Sequence, residues 1–144
     1  MNRTAGGKLH ATWLIGLSAL FLLRVLGQLI QVLYPVGFLP SLESWQGSSI
    51  PYGVLLGIQL AIIALVLLIA RRIHLGRVIP NRRIGAILLI LGAVYFTVML
   101  ARLVLGLTVL SGHPWFAKPI PAFFHLVLAG MVLTIGHYHW RRRS

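Results

Sequence analysis

The chain has 144 residues, of which 58% are hydrophobic and 10% charged, with a mean hydropathy of +0.91. A water-soluble domain of this size has too little interior to hide so much apolar surface, so the composition predicts an all-α integral membrane protein. Thirteen Lys and Arg against one acid give a formal charge of +12, but the basic residues flank apolar runs, which assigns them to a membrane interface and not to nucleic acid; the absence of Cys excludes disulfides, thiolate catalysis and Cys-ligated metals.

Four apolar runs reach spanning length, since about 20 residues rising about 1.5 Å each cross a hydrocarbon core of about 30 Å. The first covers 12–34 and stops at Pro35. It is longer than the apolar region of a secretory signal, carries Arg24, and is followed by no A-x-A cleavage pattern, so it reads as a retained signal anchor. An outer loop, 35–51, holds Glu43 and Trp45 among prolines and phenylalanine, a composition suited to a lid in the headgroup zone and to an interfacial aromatic belt.

The second run, 52–70, starts after Pro51, carries Gly53 and Gly57 in a GxxxG pattern, and stops at Arg71 and Arg72. Intramolecular packing is the expected use of that pattern, with homo-oligomer formation as the alternative. An inner basic loop, 71–83, should rest on anionic lipid at about 1 kcal/mol per charge. The third run, 84–111, leads into a second outer loop, 112–120, with Trp115 and Lys118. The fourth, 121–137, begins where Pro119 and Pro121 suit a first helical turn, and carries Ala129, Gly130 and Gly136 as a small-residue strip. The tail, 138–144, is basic, and His137, Tyr138, His139 and Trp140 read as an interfacial anchor and not as a metal site.

Basic residues cluster in the N-terminal segment, the inner loop and the tail, whereas Lys118 is the sole base in the outer loops. The positive-inside rule therefore predicts a four-transmembrane-helix bundle with both termini cytoplasmic, in a plasma membrane such as the bacterial inner membrane.

The informative residues are those that a lipid-facing helix would not carry. An arginine at mid-membrane costs at least about 2.5 kcal/mol on insertion scales, so Arg24 and Arg102 should face protein, water or a ligand. Arg24, Gln28 and Gln31 share one face by their i, i+4, i+7 spacing, and Tyr95, Met99 and Arg102 repeat it. Gln59, on the face of Tyr52, and His125 add one polar group each from the second and fourth runs. Helical rise places Arg24, Arg102, Gln59 and His125 roughly 15, 14, 10 and 6 Å below the outer boundary. These positions predict a polar pocket in the outer half, built from Arg24, Gln28, Gln59, Arg102 and His125.

No apolar run contains a carboxylate; Glu43, in the first outer loop, is placed to fold in and pair with one arginine. The donor-rich pocket suits a lipid phosphate, a fatty-acid carboxylate or a quinone oxygen, or an acidic group on a larger membrane complex. A satisfied polar network holding the helices together is the structural alternative. Membrane lipids are the expected partners, and a non-enzymatic role is the expected one. In the enzymatic alternative Glu43 or His125 acts as general base on an outer-leaflet lipid while the arginines stabilise an oxyanion. A haem b would need a second histidine facing His125, which only His113 could supply, and secondary transport lacks its usual intramembrane carboxylate.

Overall fold

The computed structural model describes residues 3–45, 50–113, 116 and 118–141, with side chains from residue 5; Trp115, Arg142 and Arg143 lie outside the described residues. The described chain is helical: α1 (Arg3–Leu33), a single turn α2 (Leu42–Trp45), α3 (Tyr52–His74), α4 (Arg82–Leu107) and α5 (Pro119–Arg141). The four long helices are long and apolar enough to cross a membrane.

Each helix ends for a local reason. Pro35 cannot continue α1, and the Gln31 side chain bends back to accept from the Val36 N–H at 3.1 Å. At the end of α3, Gly76 takes the left-handed conformation (φ 67°), which lets its N–H donate to Ile73 and the Arg77 N–H donate to Arg72. Those two bonds form a Schellman cap, and Arg71, Arg72 and His74 complement the negative end of the helix dipole. The Asn81 side chain caps α4 by accepting from the N–H groups of Arg83 (3.0 Å) and Ile84 (3.4 Å). α3 and α5 therefore extend past their apolar runs at the basic end, where basic residues favour a helix C-terminus, while α1 and α4 begin there, α4 under its Asn81 cap. The inner connector shortens to 75–81, and most of the expected tail is helix.

On α1 the buried positions Gly7, Ala11, Leu14, Ser18, Phe21, Val25 and Gln28 alternate steps of four and three. Gln59, Ile63, Val66, Ala70 and Ile73 do the same on α3. The two heptad stripes face each other in the seam between α1 and α3. α1 also packs on α5 through Val127, Met131 and Tyr138, so the main core is made by α1, α3 and α5.

α5 turns a second face to α4. A Cβ placed on Gly85 would lie 2.6 Å from the Trp140 nitrogen and 3.0 Å from the Gly136 oxygen, and one on Gly136 would lie 3.0 Å from Leu88 Cβ. Only glycine permits that approach. The expected small-residue strip of the fourth run thus serves two neighbours, Gly136 against α4 and Gly130 against Leu17 of α1. By contrast, a Cβ on Gly53 or Gly57 would meet nothing within 4 Å among the described residues. The helices follow the order α3, α1, α5, α4, with α3 and α4 at the two flanks.

The basic end is tied by aromatic and imidazole groups. His10 Nδ1 donates to the Gly6 carbonyl at 2.6 Å, which leaves its Nε2 to accept from Nδ1 of His137 at 2.9 Å. The Tyr138 hydroxyl donates to Val78, the Asn81 N–H donates to Nδ1 of His139, and the Arg82 guanidinium lies 4.4 Å from the Trp140 ring. The expected anchor cluster therefore joins α1, α5 and the inner connector to one another.

Candidate functional site

The seam between α1 and α3 becomes polar toward the end where the loops lie. Gln28 continues the apolar heptad of α1, and Gln59 opens that of α3. Arg24 sits one turn before Gln28. All three are buried, with Gln28 fully inaccessible, and so are Ser18 and Arg102. Four of the five pocket residues expected from the sequence are therefore interior groups, and the fifth, His125, is half-buried on α5.

Arg24 is held on several sides. Its Nη2 donates to the Trp45 carbonyl at 2.9 Å, and its Cζ lies 5.5 Å from the Phe124 ring and 6.0 Å from the Phe21 ring. The carbonyl comes from the end of α2, so the described first part of the loop, 35–45, folds over Arg24 as a lid. Trp45 fixes that lid: its indole N–H donates to the Pro40 carbonyl at 3.0 Å, and a Cβ on Gly27 would lie 2.9 Å from its ring. Glycine at position 27 creates the notch in which the indole rests.

The expected pairing of Glu43 with an arginine is corrected for Arg24. Arg24 reaches the Trp45 carbonyl, while Glu43 is on the exposed side of α2, in a groove with Ser44 and Lys118. A short helix turns alternate side chains to opposite sides, and burying the indole two positions on leaves the carboxylate in solvent. Gln31, expected on the same face as Arg24 and Gln28, is half-buried, and its amide oxygen accepts from the Val36 N–H just past the end of α1.

A second polar group lies between α4 and α5. The Tyr95 hydroxyl and Nδ1 of His125 are hydrogen-bonded, with the rings edge to face at 5.9 Å. The phenol is the better acid, so it donates to Nδ1, which places the proton of the neutral imidazole on Nε2. Arg102 lies within Coulombic reach of Tyr95, and His125 within reach of both Arg102 and Arg24. The two arginines are thus linked through α5, which carries Phe124 against one and His125 near the other.

Helical rise from the observed ends sets Arg24 about 14 Å, Gln59 about 10 Å, His125 about 9 Å and Arg102 about 8 Å below the loop end. Arg102 is shallower than the sequence suggested, because α4 stops at Leu107 and not at Ser111. It consequently matches the depth of His125.

Among the described residues, several buried side-chain atoms have no hydrogen-bond partner: Ser18 Oγ, Arg24 Nε, the Tyr52 hydroxyl and both amide atoms of Gln28 and of Gln59. All belong to α1 and α3. They offer both donors and acceptors, with a guanidinium among them. Ser18 was missed by sequence reading, although its place in the α1 heptad puts it on the buried stripe. The lid carbonyl on Arg24 has no side-chain signal.

Among the described residues no group of three or more His, Cys, Asp or Glu could hold a metal ion. The haem alternative needs His113 opposite His125, but His113 packs its ring against Phe116 in the loop and His125 is engaged by Tyr95. The chain matches no known protein family, no curated protein and no solved structure.

Proposed function

We propose that the chain is a non-enzymatic, multi-pass membrane protein, with its basic end and both termini cytoplasmic, that binds an anionic lipid-like or quinone-like ligand in its loop-end half. The observation that carries this reading is the set of unpartnered buried polar atoms around Arg24, Gln28 and Gln59. Leaving such an atom unsatisfied costs about 1–3 kcal/mol, and more for a charged group, so a site with this many is poised for a guest. An anionic or carbonyl oxygen suits Arg24 Nε and the amide N–H groups, and a hydroxyl on the same guest suits the amide oxygens. The Trp45 lid and the rings of Phe21 and Phe124 supply apolar walls, which strengthen each hydrogen bond inside.

The test is native mass spectrometry of protein extracted gently from its own membrane, comparing wild type with Arg24→Gln combined with Gln59→Leu. A small-molecule adduct on wild type that disappears from the variant supports the reading and identifies the ligand by mass. A bare chain in both reduces the site to a structural network. Orientation is tested separately by labelling Gly37→Cys and Leu75→Cys in intact cells with an impermeant thiol reagent: only the first should react.

Docking onto a larger membrane complex is the second reading, favoured by the open Gly53 and Gly57 face of α3. A co-purifying protein that is lost from a Gly53→Leu, Gly57→Leu variant would select it.

A further inference from the structure

The lid covers Arg24 on its inner side, and its outer side has a separate chemistry. A groove of about 340 Å³ runs between α2 and the first residues of α5, lined by Ser41, Glu43, Ser44, Lys118 and Ile120 with Pro40 and Pro119. It contains the chain's single acid, and none of its lining residues belongs to the buried cluster around Gln28 and Gln59.

Charge segregation makes the groove distinctive. Lys8, Arg71, Arg72, Arg77, Arg82, Arg83 and Arg141 lie at the other end of the helices, whereas the loop end pairs one acid with one base among its described residues. An anionic headgroup would be matched by the first end and not by the second. A headgroup with both signs suits the second. We propose that this groove binds the headgroup of a zwitterionic lipid bearing a primary ammonium, of the phosphoethanolamine class.

Lys118, which lines the groove, and the positive end of the α5 dipole supply the charge that matches the phosphate. The Glu43 carboxylate and the hydroxyls of Ser41 and Ser44, themselves hydrogen-bonded at 2.9 Å, accept from the lipid ammonium. A quaternary ammonium has no N–H to donate, so these acceptors discriminate between the two zwitterionic classes. The lipid, and not a soluble phosphoester, is the occupant because Ile120, which lines the groove, is followed three residues on along the same face of α5 by the exposed Phe123, an apolar pair suited to acyl chains. This inference rests on the spanning reading and is independent of the ligand in the buried pocket.

The test uses the full chain in lipid nanodiscs holding equal amounts of phosphatidylethanolamine, phosphatidylcholine and phosphatidylglycerol, with lipid adducts read by native mass spectrometry after release. Incorporation into the discs checks the spanning reading by itself. Wild type should retain phosphatidylethanolamine at least five-fold over the other two. Glu43→Gln should bring phosphatidylethanolamine down to the level of phosphatidylcholine, and Lys118→Gln should lower both; each substitution is at a surface position that leaves the helix seams intact. Soluble phosphoethanolamine at matched concentration should not displace the adduct. Equal retention of the three lipids by wild type would overturn the proposal, as would preference for phosphatidylglycerol, an unchanged preference in both variants, or displacement by the soluble compound.

Discussion

Gln28 and Gln59 occupy positions that the heptads of α1 and α3 would otherwise fill with apolar side chains. Removing a buried amide that has no partner removes its desolvation cost, so Gln59→Leu in lipid-stripped protein should leave the thermal midpoint unchanged or raise it. Ligand retention should be lost in the same variant. A midpoint several degrees lower would mean that the amide is already paired and that the pocket is a structural network. Gly27 makes the complementary prediction for the lid. Gly27→Val puts a side chain where the Trp45 ring rests, and the ring must shift. With Trp13, Trp115 and Trp140 replaced by Phe, the Trp45 emission should shift to the red, and unchanged emission would contradict the lid geometry.

At the scale of elements, the α4–α5 contact depends on glycine and the α3 surface does not. Gly85→Leu drives a side chain into the backbone of α5, near Trp140 and Gly136, and should cost about 1–3 kcal/mol or more of stability. Gly57→Leu enters open space and should change stability by less than about 0.5 kcal/mol. Thermal unfolding in detergent, run on both variants, separates the two cases. Asn81→Ala removes the cap of α4 and should cost about 0.5–2 kcal/mol, with the first turn of α4 losing amide-exchange protection. The GxxxG pattern of the second run was therefore visible in the sequence, but its expected intramolecular use was not realised. Glycine spacing shows that a close approach is permitted, not which helix makes it.

For the whole molecule, the helix order α3, α1, α5, α4 predicts which pairs can be cross-linked. The chain is free of cysteine, so introduced pairs report without background. Gly92→Cys with Leu133→Cys should form a disulfide across α4 and α5, and Leu60→Cys with Val98→Cys, across the two flanks, should form none within one chain. Composition and hydropathy alone determined that the chain is helical with four long apolar segments, because spanning length and the positions of Pro and Arg are local properties. They also singled out Arg24, Gln28, Gln59 and Arg102 as groups that an apolar helix would bury only for a reason, and all four are interior. Only the tertiary structure decided that Arg24 meets the lid carbonyl instead of Glu43, that His125 is engaged by Tyr95, and that the unpartnered atoms gather on α1 and α3. Those outcomes depend on which helices become neighbours and how the loop folds back, and such contacts between distant residues leave no periodic signal along the chain.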